Sequence, residues 1–135
     1  MIRIAEISAE EAWPLRQEVM WPEYPIDFVK LSNDQDGIHF GFFHEQQLVS
    51  VVSAFMDGDS CQFRKLATRI GSQGNGFASR LIERVIEYSQ ANQVRRLWCN
   101  ARSDKTIFYK KFGLVETDST FEKAGRRYVI MEKFL

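Results

Sequence analysis

Residues 71–78 read Gly71-Ser72-Gln73-Gly74-Asn75-Gly76-Phe77-Ala78, a glycine-rich turn ahead of an apolar repeat of helical period. Such a turn can make an anion site. The first N–H groups of a helix have no partner inside it and stand at the positive end of its dipole. Glycine, lacking a Cβ, lets a phosphate come close to the backbone. Two well-known phosphate loops can be tested against the string, and both fail. A Walker A loop needs Lys and then Ser or Thr after its last glycine, where Phe77 stands. The dinucleotide fingerprint needs a glycine where Ser79 lies, and it opens a βαβ unit, whereas this loop follows antiparallel strands. The string is either a phosphate loop of another kind or a plain turn.

The elements around the loop must position it. Behind it, Phe77, Leu81 and Val85 recur every fourth residue with Ala78, Ile82 and Ile86 beside them, predicting an amphipathic helix from Phe77 to Gln93. Before it come three strands, Ile38 to His44, Leu48 to Met56 and about Ser60 to Arg69, the last two joined by the hairpin signal Asp57-Gly58. Alternating Ile2, Ile4 and Ile7 predict a first strand. Ser8 and Glu11 then form a capping box that opens a helix toward Met20. After the break at Pro22 and Pro25, a short second helix is expected near Asp27 to Leu31. Beyond the central helix the pattern predicts a strand from Val94 to Asn100, a helix from Asp104 to Phe112 ended by Gly113, and strands near Leu114 to Thr117 and Tyr128 to Phe134. The class is α/β (α+β), with a mixed, mostly antiparallel sheet of about six to seven strands flanked by helices.

Length and charge bound the function. The chain has 135 residues, 44% hydrophobic and 27% charged, enough to bury a core in one domain. Eighteen Lys and Arg balance eighteen Asp and Glu, which speaks against a protein that neutralises phosphates along DNA or RNA. The start lacks the apolar core of a signal peptide, and no apolar run nears the ~20 residues that span a bilayer. Cys61 and Cys99 stand far apart with no CxxC partner and read as core thiols in a reducing cytoplasm. No nucleic acid, membrane or metal is expected as a partner, and the expected location is cytoplasmic.

The string Gln73-Gly74-Asn75-Gly76-Phe77-Ala78 resembles the Q/R-x-x-G-x-G/A motif of the GNAT-type N-acetyltransferase superfamily. Two further segments share the likeness. Arg64-Lys65-Leu66-Ala67-Thr68 resembles that family's splayed fourth strand, and Phe108-Tyr109-Lys110-Lys111-Phe112-Gly113-Leu114 resembles its F-Y-x-K-x-G-F segment. The order of elements matches too. The resemblance implies one GNAT-like domain over 1–135, a splayed central strand pair that holds CoA, and acetyl-CoA as co-substrate without a metal. The acceptor implied is a primary amine of a small molecule or peptide. A homodimer is a common arrangement in the family, and a catalytically silent CoA-binding module is the alternative.

Carried over by residue, the resemblance places the main-chain groups of Leu66, Ala67 and Thr68 against the pantetheine arm. Gln73, Gly74, Asn75, Gly76, Phe77 and Ala78 would offer N–H donors to the pyrophosphate, with Ser79 close by. Asn100 would contact CoA from the far side, and Tyr109 would stand near the thioester sulfur as the catalytic residue. Two departures stand out. Arg102 occupies the position where many members keep an asparagine, and the Arg64 strand lacks the glutamate several members use as a base. His39, Glu116, Asp57 and Asp59 remain as alternative bases, each also readable as a core or solvated residue. The connector Trp21-Pro22-Glu23-Tyr24-Pro25 could border the acceptor, and Arg95, Arg96, Lys123, Arg126 and Arg127 read as solvated surface, one or two within reach of the 3′-phosphate of CoA. Holding amine and thioester in line is worth about 7–11 kcal/mol, more than one acid or base contributes, so positioning dominates.

Overall fold

The computed structural model describes residues 1–135. Seven strands form one sheet: β1 (Ile2–Ile7), β2 (Ile38–His44), β3 (Gln47–Asp57), β4 (Ser60–Thr68), β5 (Arg96–Arg102), β6 (Val115–Lys123) and β7 (Arg126–Phe134). Their spatial order is β1-β2-β3-β4-β5-β7-β6, antiparallel throughout except for the parallel pair β4 and β5. Three helices flank it: α1 (Ala9–Met20), α2 (Phe77–Ala91) and α3 (Thr106–Lys110). No helix is long and apolar enough to cross a membrane.

The local signals act as read. The Ser8 hydroxyl accepts from the Glu11 N–H at 3.1 Å while the Glu11 carboxylate accepts from the Ser8 N–H at 2.8 Å. Gly58 turns β3 into β4 at φ +61°, a conformation that costs glycine nothing. Adjacent residues of a strand point to opposite faces, and the core divides accordingly. Val52 joins the α2 stripe of Leu81, Ile82 and Val85 in the larger cluster, while Val51 meets Ala12 and Leu15 of α1 in the smaller one.

Four expectations need correction. The second helix is only a 3-10 turn over Ile26–Val29, held between Pro25 and an aromatic cluster in which Tyr24 and Phe28 stack at 4.2 Å. The Asp104 to Phe112 helix begins as a 3-10 turn, Ser103–Lys105, and is α-helical only over Thr106–Lys110. The central helix stops at Ala91, since the chain turns at Gln93 with φ +59°, and β5 runs from Arg96 to Arg102. β6 continues to Lys123. It is an edge strand, exposed along most of its length, so pairing with β7 defines it and no apolar alternation marks it.

Candidate active site

The central feature is a gap in the sheet. β4 and β5 pair only at Ser60 with Arg96, Cys61 with Leu97 and Gln62 with Trp98. The cause lies on the other edge of β4. Ser53 of β3 faces Arg64 and Val51 faces Ala67, so Lys65 and Leu66 together oppose Val52. This bulge puts Lys65 at φ +60° and bends β4 away from β5.

The gap opens a cleft of about 620 Å³. Leu66, Ala67 and Thr68 line one wall, Asn100 the other, and Gln73, Gly74, Gly76, Phe77, Ala78 and Ser79 close one end. Gly74 and Gly76 have φ of +83° and +79°, and a Cβ on either would meet nothing within 4 Å. The glycines therefore serve backbone geometry and an open cradle, not close packing. Gly76 caps α2 without a side-chain bond, and the Arg80 N–H reaches the Gly76 carbonyl at 3.1 Å. The N–H groups ahead of Arg80 are left without intrahelical partners. Asn75 is the one predicted site residue outside the lining. Its amide donates to the Ser72 carbonyl at 3.0 Å and so shapes the loop from behind. Gln73 ties the loop to β4 by donating to the Thr68 carbonyl at 3.0 Å, and the Ser50 hydroxyl donates to the Ala67 carbonyl at 3.2 Å. Each carbonyl keeps a second lone pair.

Tyr109 lines the same cleft, its ring 5.8 Å from Phe63 and 5.1 Å from Phe108. Burial, with Cys99 adding to it, raises the phenol above its ordinary value against a smaller opposing pull from Arg102. Tyr109 therefore stays protonated across the physiological range and can donate a hydrogen bond. Cys99 also lines the cleft, and burial pushes its thiol up to about 12. It holds almost no thiolate at neutral pH, so a covalent route through this cysteine is disfavoured.

Residues 24–135 match the family described as the acetyltransferase (GNAT) domain. The chain belongs to the GNAT family. Among curated proteins it is 26% identical to the uncharacterized N-acetyltransferase YitI of Bacillus subtilis (strain 168), over 100% of this chain and 97% of that one. A Lactobacillus plantarum structure ascribed to an N-acetyltransferase superposes with a TM-score of 0.88 at 19% identity, covering 99% of this chain and 98% of that one. A GNAT family acetyltransferase from Elizabethkingia anophelis, solved with acetyl-CoA bound, gives 0.79 at 14% identity, covering 99% and 98%. At these identities the superpositions establish the GNAT fold.

This GNAT chain has no carboxylate base in its cleft: no Asp or Glu lines it. The four alternatives lie elsewhere. His39 is 3% exposed in the core, with Nδ1 at 2.7 Å from the Ser53 hydroxyl and Nε2 at 2.8 Å from the Asp34 carbonyl, so neither nitrogen is free. Glu116 pairs with Lys110 at 2.8 Å, Asp57 borders a separate hollow, and Asp59 sits in the β3–β4 turn. The sequence reading missed Arg64, Lys65, Lys105, Lys111 and Tyr128, all of which line the cleft with Arg102. Arg64 and Lys65 were visible as the place where a glutamate is missing, but not as a site in their own right. The late basic residues also change role. Lys123 edges a side hollow with Trp21, and the Arg126 guanidinium lies 3.9 Å over the Trp21 ring while donating to the Met20 carbonyl at 3.0 Å.

Proposed function

We propose that residues 1–135 act as one acetyltransferase unit that moves the acetyl group of acetyl-CoA onto a primary amine by direct attack. The observation that carries this reading is the shared cleft. The glycine loop, the free edge of β4 and Tyr109 all face it, and its charged lining is wholly cationic. The N–H groups of Gly74, Gly76, Phe77 and Ala78, with Ser79 beside them, suit the pyrophosphate, which also gains from the α2 dipole. The main chain of Leu66, Ala67 and Thr68 suits the pantetheine amides, and Asn100 suits the same arm from β5. Asn75 acts from behind the loop, through its bond to Ser72.

The amine nitrogen attacks the thioester carbonyl, a C–N bond forms, and the C–S bond breaks. The thiolate leaves and takes up a proton, and the new amide loses one. Tyr109 hydrogen-bonds to the developing thiolate. Full proton donation is the weaker role, since even an ordinary phenol near 10 is less acidic than a thiol near 8.5. With no carboxylate base, the acceptor enters as the neutral amine. An α-amino group near 8 supplies that form in about a tenth of molecules at pH 7, a lysine-like amine far less.

The test is thiol release from acetyl-CoA over a panel of small amines and peptides, with the acetylated product identified by mass spectrometry. Amine-dependent release supports the reading. A protein that binds acetyl-CoA and acetylates no amine would be the silent CoA-binding module.

A further inference from the structure

A side hollow of about 70 Å³ opens off the main cleft, sharing Met20, Phe63, Arg64, Lys65, Asn100 and Tyr128 with it. Trp21, Phe121 and Lys123 complete its wall. Three of these nine residues are cations and none is an anion, in a chain whose charges balance. The nearby carboxylates are engaged elsewhere. Asp34 is buried against Arg16 at 2.8 Å, Glu18 lies 3.5 Å from Arg69, and Glu122 lies 3.5 Å from Arg127.

The hollow thus lacks a negative charge, and an oxyanion supplies it.

We propose that this hollow binds a carboxylate of the acceptor, so that the substrate is a small amine carrying a carboxylate, held by Arg64, Lys65 and Lys123. The inference rests on the acetyltransfer reading and specifies its acceptor. The hollow is small, about 70 Å³, and a carboxylate is less bulky than a phosphoryl group. Asn100 and Tyr128 line both spaces, so a molecule anchored in the hollow can extend its amine into the cleft that Tyr109 lines. Burial, then Lys123, Arg64 and Arg16, bring the Lys65 ammonium from 10.5 down to about 8 despite an opposing pull from Asp34. An anion in the hollow relieves that crowding of like charge.

The experiment compares free amino acids with their carboxamides as acceptors, with aminoalkyl phosphonates as a third arm and acetyl-CoA binding measured alongside. The amide's amine is the less basic and so the more neutral at pH 7, and intrinsic reactivity favours the amide. A kcat/KM at least tenfold higher for the acids would therefore come from the protein, and Lys123→Met, an exposed position, should bring the ratio toward one. Equal or better use of amides or polyamines overturns the proposal, as does a preference for phosphonates or acetylation of no pair at all by a protein that binds acetyl-CoA. Failure to bind acetyl-CoA would instead overturn the acetyltransfer reading beneath it.

Discussion

Gln62 and Trp98 are the last residues paired between β4 and β5. Beyond them the facing edges of two central strands carry backbone groups that no strand satisfies, at the centre of a seven-stranded sheet. Buried N–H and C=O groups need partners, and a ligand with alternating amides can supply them. The Lys65 bulge holds the edges apart, so the same few residues create the cleft and place two cations in its wall.

Tyr109→Phe removes only a hydroxyl and leaves the ring packing on Phe63 and Phe108. Steady-state kinetics should show kcat lower by about 10- to 1000-fold with KM for acetyl-CoA little changed. Unchanged turnover would remove Tyr109 from the mechanism.

Cys99 is too weak an acid to act as a nucleophile at neutral pH. Intact-protein mass spectrometry after incubation with acetyl-CoA alone should find no acetyl group on Cys99. A stable acetyl adduct there would contradict direct attack.

Arg16 and Asp34 form a buried two-point pair at 2.8 and 2.9 Å, with Trp13 and Leu31 donating to the same carboxylate. Burial alone would raise the Asp34 carboxyl, but these donors hold it near 2, below its ordinary 3.8. Its contribution to stability is thus complete above 3.8 and is lost as pH falls through about 2. Asp34→Asn, which strands the Arg16 charge, should cost about 3–5 kcal/mol in urea unfolding at pH 7. Much of that deficit should disappear in acid. A cost independent of pH would show that the pairing is not what Asp34 contributes.

Much of the architecture could be read from short-range chemistry. The Ser8 and Glu11 capping box, the Asp57-Gly58 hairpin and the glycine loop before Phe77 each involve a few adjacent residues whose preferences no distant contact overrides. The readings that failed depend on distant partners. His39 was a plausible base until Ser53 and the Asp34 carbonyl occupied both ring nitrogens. The extent of β6 depends on β7 across the Ala124-Gly125 turn, where both residues take positive φ. The cationic hollow joins Trp21, Arg64 and Lys123, residues far apart in the chain that only the folded sheet brings together. Lys65 could not be placed at a bulge by local propensity, because a lysine rarely adopts the left-handed region.

Lys65 gives the acceptor preference a pH dependence. With its ammonium at about 8, the side chain is charged below that value and neutral above it. Kinetics over pH 6.5 to about 9.5, with each rate divided by the neutral fraction of its own amine, should show the acid-over-amide ratio falling as pH rises through 8. Lys123→Met removes a like charge that faces Lys65, so whatever preference remains should fade at a higher pH. A corrected ratio that is flat across the range would separate Lys65 from acceptor binding.

The central claim is that the splayed cleft and its glycine loop hold acetyl-CoA, and calorimetric titration of acetyl-CoA and free CoA tests it most directly. Gly76→Glu is the control, placing a side chain at φ +79° in the open cradle and a carboxylate at the positive end of α2. The native protein should bind both ligands at sub-millimolar concentration, and the variant about 100-fold or more weakly. No heat from either ligand, or equal affinity in Gly76→Glu, would contradict it.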